Sequence, residues 1–130
     1  MTIRSTTDSE HLSDLGNARR MVNEFGNVLR FVPAWGRWLV WLDTHWQRDD
    51  LGYVMQYAKK TAIQIFHEAA DNIDGDSRKE LGRHALQSES RRALEAMVAL
   101  AQTELGIPLN PDALDSDPWL WVEASTTTAH

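Results

Sequence analysis

Residues 29–41, which read LRFVPAWGRWLVW, decide the fold of this chain. Apolar and polar side chains alternate over 29–32, and less regularly over 38–41, as they do in strands with one buried face. Pro33 and Gly36 are placed for a turn between the two runs, because proline presets a turn angle and glycine tolerates the left-handed region. The stretch therefore predicts a small antiparallel hairpin.

A third strand is predicted after this hairpin. Residues 43–45 can form a second short connection, and Trp46 then begins a strand that ends near Asp49-Asp50. We expect these adjacent carboxylates to end the strand and to cap the helix that follows. The predicted β-ribbon thus occupies about residues 28–49.

Four of the six tryptophans of the chain lie within this ribbon, at positions 35, 38, 41 and 46. Two or three short strands cannot bury enough apolar surface to be stable alone. We therefore expect the tryptophans to form the hydrophobic face that ties the ribbon to helices. A platform on which single-stranded bases stack is the alternative.

The segment before the ribbon predicts a first helix. Asp8 or Ser13 can cap its start, and Gly26 is expected to end it in the left-handed conformation. Arg19 and Arg20 fall off the apolar stripe and are expected to reach solvent or a partner. The stripe consists of Leu15, Ala18, Val22 and Phe25.

After the ribbon, residues 51–73 predict a long helix that forms the spine of the domain. Its polar face carries Lys60, Gln64, His67 and Asp71. Its buried face is expected to contain Leu51, Val54, Met55, Ala58, Ala62, Ile65, Phe66 and Ala69.

Two shorter helices are predicted next. Asp76 or Ser77 caps the first, which runs to about Leu86, and Ser88 or Ser90 caps the second. Gly106 is expected to end the second helix. The core face of that helix comprises Leu94, Met97, Val98, Ala101 and Leu105.

The C-terminal region predicts one helical turn and a short apolar segment. Asn110-Pro111-Asp112 combines a capping residue with proline at the first helical position, and the turn ends at Leu114. Residues 117–122 are β-prone and must find a packing partner. Folding back on the helices is favoured over self-association, because Pro118 limits the ladder that the segment can form.

These elements predict an α+β domain, mainly α, with the tryptophan-rich ribbon packed on about four helices over residues 13–122. Residues 1–12 and 123–130 are expected to be flexible or frayed. A chain of 130 residues that is 42% hydrophobic can form one core. It contains no cysteine, which excludes disulfides and cysteine zinc sites. No apolar run suits a signal peptide or a membrane span, so we expect a cytoplasmic location.

The net charge of −6 argues against strong general DNA binding, which depends on lysine and arginine neutralising phosphates. Basic doublets are nevertheless spread over four predicted helices. If folding gathers two of them on one face, they could guide a DNA strand. The favoured interpretation is solvated helix surface, paired with neighbouring Asp and Glu. The doublets are Arg19-Arg20, Lys59-Lys60, Arg78-Lys79 with Arg83, and Arg91-Arg92.

Catalytic motifs find no support in the sequence. A phosphate-binding loop needs glycines followed by lysine and a hydroxyl residue, and none of the seven glycines precedes a Lys-Ser or Lys-Thr pair. Primer synthesis needs clustered carboxylates, and Asp49-Asp50 is the only adjacent acidic pair. In HEAAD, residues 67–71, aspartate stands where a zinc-protease helix has its second histidine. No catalytic residue, metal or cofactor is predicted.

Several other stretches follow one another in a definite order. They are DLGNARR at 14–20, FVPAWGRWLVW at 31–41, HW at 45–46, SES at 88–90, EAM at 95–97, GIP at 106–108 and LDSDPWL at 114–120. In this series the chain resembles the helical domain that precedes the superfamily 3 helicase motor in phage and plasmid primases and in the poxvirus primase-helicase. The resemblance implies a non-catalytic module of replication initiation that links or assembles the primase and ATPase parts, with the chain ending before the motor.

The implied partner is the helicase motor or another replication protein, with no membrane contact. Weak contact with single-stranded DNA and self-association are further expectations. The alternative function is a free-standing phage-type interaction protein that binds or inhibits a replication or host-defence protein. Nucleic-acid or partner contact is assigned to Arg19, Arg20, Arg91, Arg92, Trp35 and Trp119.

Overall fold

The computed structural model describes residues 12–72 and 74–115, together with the backbone of 121–122. The predictions of a flexible start, a frayed end and a contact at Trp119 fall largely or wholly outside these residues. Helices and strands follow in the order α1 (Asp14–Phe25), a 3-10 turn (Gly26–Val28), β1 (Leu29–Val32), β2 (Arg37–Trp41), β3 (Trp46–Arg48), α2 (Tyr53–Asp71), α3 (Gly75–Ser88), α4 (Arg91–Ala101), α5 (Pro111–Asp115) and β4 (Trp121–Val122). The predicted class, α+β and mainly α, is confirmed.

The predicted hairpin forms with β1 and β2 antiparallel. Phe31 pairs with Trp38 and Leu29 with Val40, which places these four apolar side chains on one face. The amides of Trp35 and Gly36 both donate to the carbonyl of Val32, and Gly36 has a φ of 63° that suits glycine. β3 then pairs antiparallel with β2, as expected.

Both edges of this three-stranded ribbon are covered. Beside β1, the amide of Phe31 donates to the carbonyl of Ile107 at 2.9 Å, and the amide of Leu109 donates to the carbonyl of Phe31 at 2.8 Å. Beside β3, β4 pairs in parallel, with Trp46 opposite Trp121. The backbone of 121–122 thus pairs with the sheet. The sequence had instead favoured packing of this segment on the helices.

The main core lies between the inner face of the sheet and helices α1, α2 and α4. The rings of Phe31 and Trp38 meet edge to face with centroids 5.3 Å apart, and Phe25 contacts Tyr57 at 4.7 Å. Around them pack Ala18, Met21, Leu29, Val40, Val54, Ala58, Ala62, Leu94, Met97, Ala101 and Ile107. The hydrophobic-face interpretation is therefore confirmed for Trp38, which is 9% exposed.

Helix α1 differs from its prediction at the first residue of its apolar stripe and at its C-terminal end. Ser13 is the cap, accepting from the amide of Gly16 at 3.0 Å, but Leu15 is exposed. The buried arc is centred on Ala18 and Met21, because the close contact with α4 favours that face. Gly26 is right-handed rather than left-handed, since the chain tightens directly into the 3-10 turn.

The start of α2 follows the prediction closely. The carboxylate of Asp49 accepts hydrogen bonds from the amides of Gly52, Tyr53 and Val54 at 2.7 to 2.9 Å. Three of the amides at the helix start, which have no partner within the helix, are thereby satisfied.

The predicted core face of α2 is wrong at two positions. Leu51 is 82% exposed because it precedes the helix, and Phe66 is 54% exposed because it lies at the edge of the buried arc. Thr61 is buried instead, and its hydroxyl donates to the carbonyl of Tyr57. The helix ends at Asp71, two residues before the predicted end.

The remaining helices begin where capping residues allow. Asp74 caps α3, two to three residues earlier than expected, and Ser90 caps α4 by accepting from the amide of Ala93. Leu105 is 95% exposed because α4 already ends at Ala101, so this core prediction is wrong. Asn110 caps α5 as predicted.

Replacing Trp38 by alanine should lower the free energy of unfolding by roughly 3 to 5 kcal/mol, because it opens a cavity under the sheet. The control change Leu105→Ala, at a side chain that is 95% exposed, should cost under about 1 kcal/mol. Urea unfolding of the two variants measures both values. Equal losses would contradict the placement of Trp38 in the core.

Candidate functional site

The four arginines predicted to contact a partner are all engaged by carboxylates. Arg19 lies 3.6 Å from Glu104 and Arg20 lies 2.5 Å from Glu68. The other two pairs are Arg91 with Glu95 at 3.1 Å and Arg92 with Asp14 at 3.9 Å. The favoured interpretation of these doublets, as helix surface paired with neighbouring acids, agrees with these contacts.

Arg20 departs from its prediction because its side chain is only 12% exposed. It lies between α1 and α2, where its Nη1 donates to Glu68, and its Nε has no hydrogen-bond partner among the described residues. Arg20, Glu68, Asp71 and Glu80 are among the residues that line a cavity of about 490 Å³ between α1, α2 and α3. No group of three or more acidic or histidine side chains is arranged to hold a metal within the described residues.

A buried polar network joins α1 to α3. The side-chain amide of Asn17 donates to the Ser88 hydroxyl at 2.9 Å, and that hydroxyl donates to the His84 carbonyl at 2.7 Å. Nε2 of His84 lies 2.8 Å from Oδ1 of Asn17, which fits the tautomer that carries its proton on Nε2. The network satisfies the buried amide of Asn17 and fixes the two helices together.

The environment of His84 disfavours its charged form. Burial lowers the pKa of His84 below 6.5, and the positive charge of Arg20 lowers it further, while Asp14 acts in the opposite direction. Sequence reasoning missed this network, because Asn17 is 67 positions from His84 and 71 positions from Ser88 along the chain.

The outer face of the sheet presents a second polar arrangement. Cross-strand pairing aligns Arg30, Leu39 and Arg48 in one row and sets Trp41 opposite Trp46. The guanidinium of Arg30 lies 5.0 Å from the ring centroid of Trp46, and its Nη1 donates to the carbonyls of Gly26 and Leu29. Burial lowers the pKa of Arg30, although arginine stays charged.

The centre of this outer face is apolar and covered. Val32 and Leu39 are fully buried beneath Leu114 of α5, with Leu109 and Trp46 packed at the margin. Arginines surround this covered centre. Arg37 is exposed at the start of β2, and Arg48 lies 3.7 Å from Asp50. The alternation of 29–32 already indicated that Arg30 lies opposite the core, but only the strand register shows which side chains accompany it.

The two predicted aromatic contacts have different outcomes. Trp35 lies in the β1–β2 turn and is 40% exposed, near Arg37 in sequence. Trp119 lies outside the described residues. The contact roles assigned to these tryptophans and to the four paired arginines stay predictions.

Comparison with family models decides the relationship of the chain. The model of the D5 N terminal like family matches residues 18–125, which include the sheet, all five helices except the start of α1, and β4. The chain belongs to this family. No curated protein and no solved structure matches the chain. The D5 N-terminal-like domain is an N-terminal domain and not itself a catalytic domain. Among the described residues, no helix has the length and apolar character needed to cross a membrane.

The pKa of His84 predicts how the stability of this domain depends on pH. The unfolded chain binds a proton more readily than the folded one, so the contribution of His84 is complete above about pH 6.5. It is lost progressively as the pH falls through the lowered pKa of the folded state.

His84→Gln, which keeps an amide donor for Asn17, should therefore lose less stability than the wild type between pH 7.5 and pH 5.5. The matched variant His67→Gln, at an exposed position of α2, should keep the wild-type dependence. Urea unfolding at the two pH values checks this. Identical losses in the wild type and in His84→Gln would refute the assignment.

Proposed function

We propose that this D5 N-terminal-like domain is a non-catalytic module of a phage or plasmid primase-helicase. It links or assembles the primase and ATPase parts at the initiation of replication, and it acts in the cytoplasm. Residues 13–122 form the unit in this proposal. Its main support is the family match, which covers nearly the whole of that unit.

The position of β4 supports a linking role. In the family, the helicase motor follows this domain, so a motor would be joined to the chain on the C-terminal side of Val122. The backbone of 121–122 pairs with β3 as the edge strand of the sheet. A motor attached there is held by a strand of the domain, whereas a connection through a free tail would leave it without a fixed orientation.

The assembly role can be tested with three proteins. They are a superfamily 3 motor alone, the same motor joined directly after Val122, and the same fusion with a flexible Gly-Ser linker of about twenty residues, which separates the parts by roughly 25 Å. Sedimentation velocity measures the protein concentration at which each one forms rings.

The direct fusion should form rings at a lower concentration than the motor alone, and the linker should remove most of that gain. The motor with a mixed, unlinked domain serves as the control for a general effect of added protein. If all of these samples assemble at the same concentration, the proposed function is contradicted.

The chain alone should neither hydrolyse ATP nor extend primers. It has no glycine-rich loop followed by lysine and a hydroxyl residue, and no paired carboxylates beyond Asp49-Asp50. Asp49 is already used as the cap of α2. Phosphate release and primer extension by the purified chain measure this. Turnover that a substitution in this chain abolishes would overturn the prediction.

A second candidate is a free-standing protein that binds a replication or host-defence protein. Ile63 and Phe66 favour it, because these apolar side chains are one turn apart on α2 and both are more than half exposed. The fusion experiment separates the two candidates. Only the module proposed above requires that a motor assembles better when it is joined to this domain.

A further inference from the structure

Among the described residues, no helix forms an ion pair with the arginines on the outer face of the sheet. We call the side chains of Arg30, Arg37, Arg48, Trp41 and Trp46 the arginine–tryptophan face. They share one side of the sheet because Arg30 and Arg48 are both opposite Leu39, and Arg37 and Trp41 lie two residues to either side of Leu39. The register thus gathers three arginines and two tryptophans that are scattered along the sequence.

The charge on this face differs from that on α1 and α4. Arg30 contacts two carbonyl oxygens and a ring, none of which cancels its charge. Arg37 is exposed and forms no ion pair with any described residue. Arg48 forms an ion pair with the carboxylate of Asp50, at 3.7 Å. In a chain of net charge −6, the face therefore presents a local excess of positive charge.

The aromatic side chains add a second kind of contact. Trp41 and Trp46 meet edge to face at 5.4 Å, and both remain partly exposed. The guanidinium of Arg30 lies over one face of the Trp46 ring, and this contact favours the observed orientation of the ring. Because Leu114 and Leu109 already cover the apolar centre, the face does not need an apolar partner.

The ligand that matches this arrangement has negative charges along a flexible chain and flat aromatic groups beside them. Single-stranded nucleic acid has both, whereas a duplex hides the faces of its bases and an acidic peptide lacks them. We propose that the arginine–tryptophan face binds single-stranded DNA, with Arg37 and Arg48 contacting phosphates and Trp41 and Trp46 stacking on bases. The choice of DNA over RNA rests on the proposed function in replication.

Fluorescence anisotropy with labelled oligo-dT of about fifteen nucleotides, at roughly 50 mM salt, measures this binding for the full chain. Arg37→Glu should weaken binding about tenfold. It should also reduce the slope of log binding constant against log salt concentration by about 0.7 in magnitude, because one phosphate contact is lost. The matched reversal Lys59→Glu, at an exposed position on α2, changes the net charge equally and should stay within about twofold of the wild type. Unfolding curves confirm that both variants fold.

Three competitors test the identity of the ligand. Unlabelled oligo-dT should compete better than a duplex of the same length and better than polyglutamate of the same charge, and oligo-U should compete less well than oligo-dT. Tryptophan emission should fall when oligo-dT binds. No binding by the wild type, equal losses in Arg37→Glu and Lys59→Glu, or equal competition by polyglutamate would overturn the proposal. Tighter binding of oligo-U would overturn the choice of DNA.

The same variant separates this proposal from the proposed function. Arg37→Glu in the direct motor fusion should leave the ring-forming concentration unchanged. Ring assembly without DNA binding would reject the DNA site alone, and DNA binding without any gain in assembly would reject the assembly role alone.

Discussion

The register of the β1–β2 hairpin is the constraint on which the rest of the structure depends. Pairing of Phe31 with Trp38 sends the large aromatic side chains into the helical core and sends Arg30 and Arg37 to the other side. Because side chains alternate along a strand, a slip by one residue would expose Trp38 and bury a charge. The positions of β3 and β4 follow from this choice, since each pairs with the strand before it in the sheet.

The distribution of charge gives the domain two kinds of surface. On α1 and α4, arginines pair with acids on their own or neighbouring elements. These surfaces therefore have little positive potential with which to attract a polyanion. On the outer face of the sheet, the Arg30 guanidinium contacts carbonyls and a ring, Arg37 is exposed, and Arg48 pairs with Asp50. A domain that is acidic as a whole can therefore carry a basic surface, and the net charge alone does not reveal it.

Local signals in the sequence were sufficient for most elements. The hairpin and several helix starts could be predicted because the signals for them act within a few residues. These signals are the alternation at 29–32, the carboxylate of Asp49, the serine at 90 and Asn110-Pro111. Burial at Leu51, Phe66 and Leu105 could not, because it depends on which neighbour covers a helix edge and on where a helix ends.

The candidate site was harder to predict because its contacts are distant in sequence. The burial of Arg20 requires Glu68 on another helix, and the polar network requires Asn17 to meet α3. The arginine–tryptophan face requires three strands in register. Periodicity indicates which side of an element is apolar, but it does not show which polar sides are brought together.

The most direct test of this account is a nuclear Overhauser spectrum of the isotope-labelled chain. Because their ring centroids are 5.3 Å apart, Phe31 and Trp38 should give strong cross-peaks between their ring protons. The side-chain protons of Arg30 should give cross-peaks to the Trp46 ring. Contacts from Trp38 to Leu114, with none to Phe31, would mean that the hairpin has the opposite register and would contradict both faces of the sheet as described.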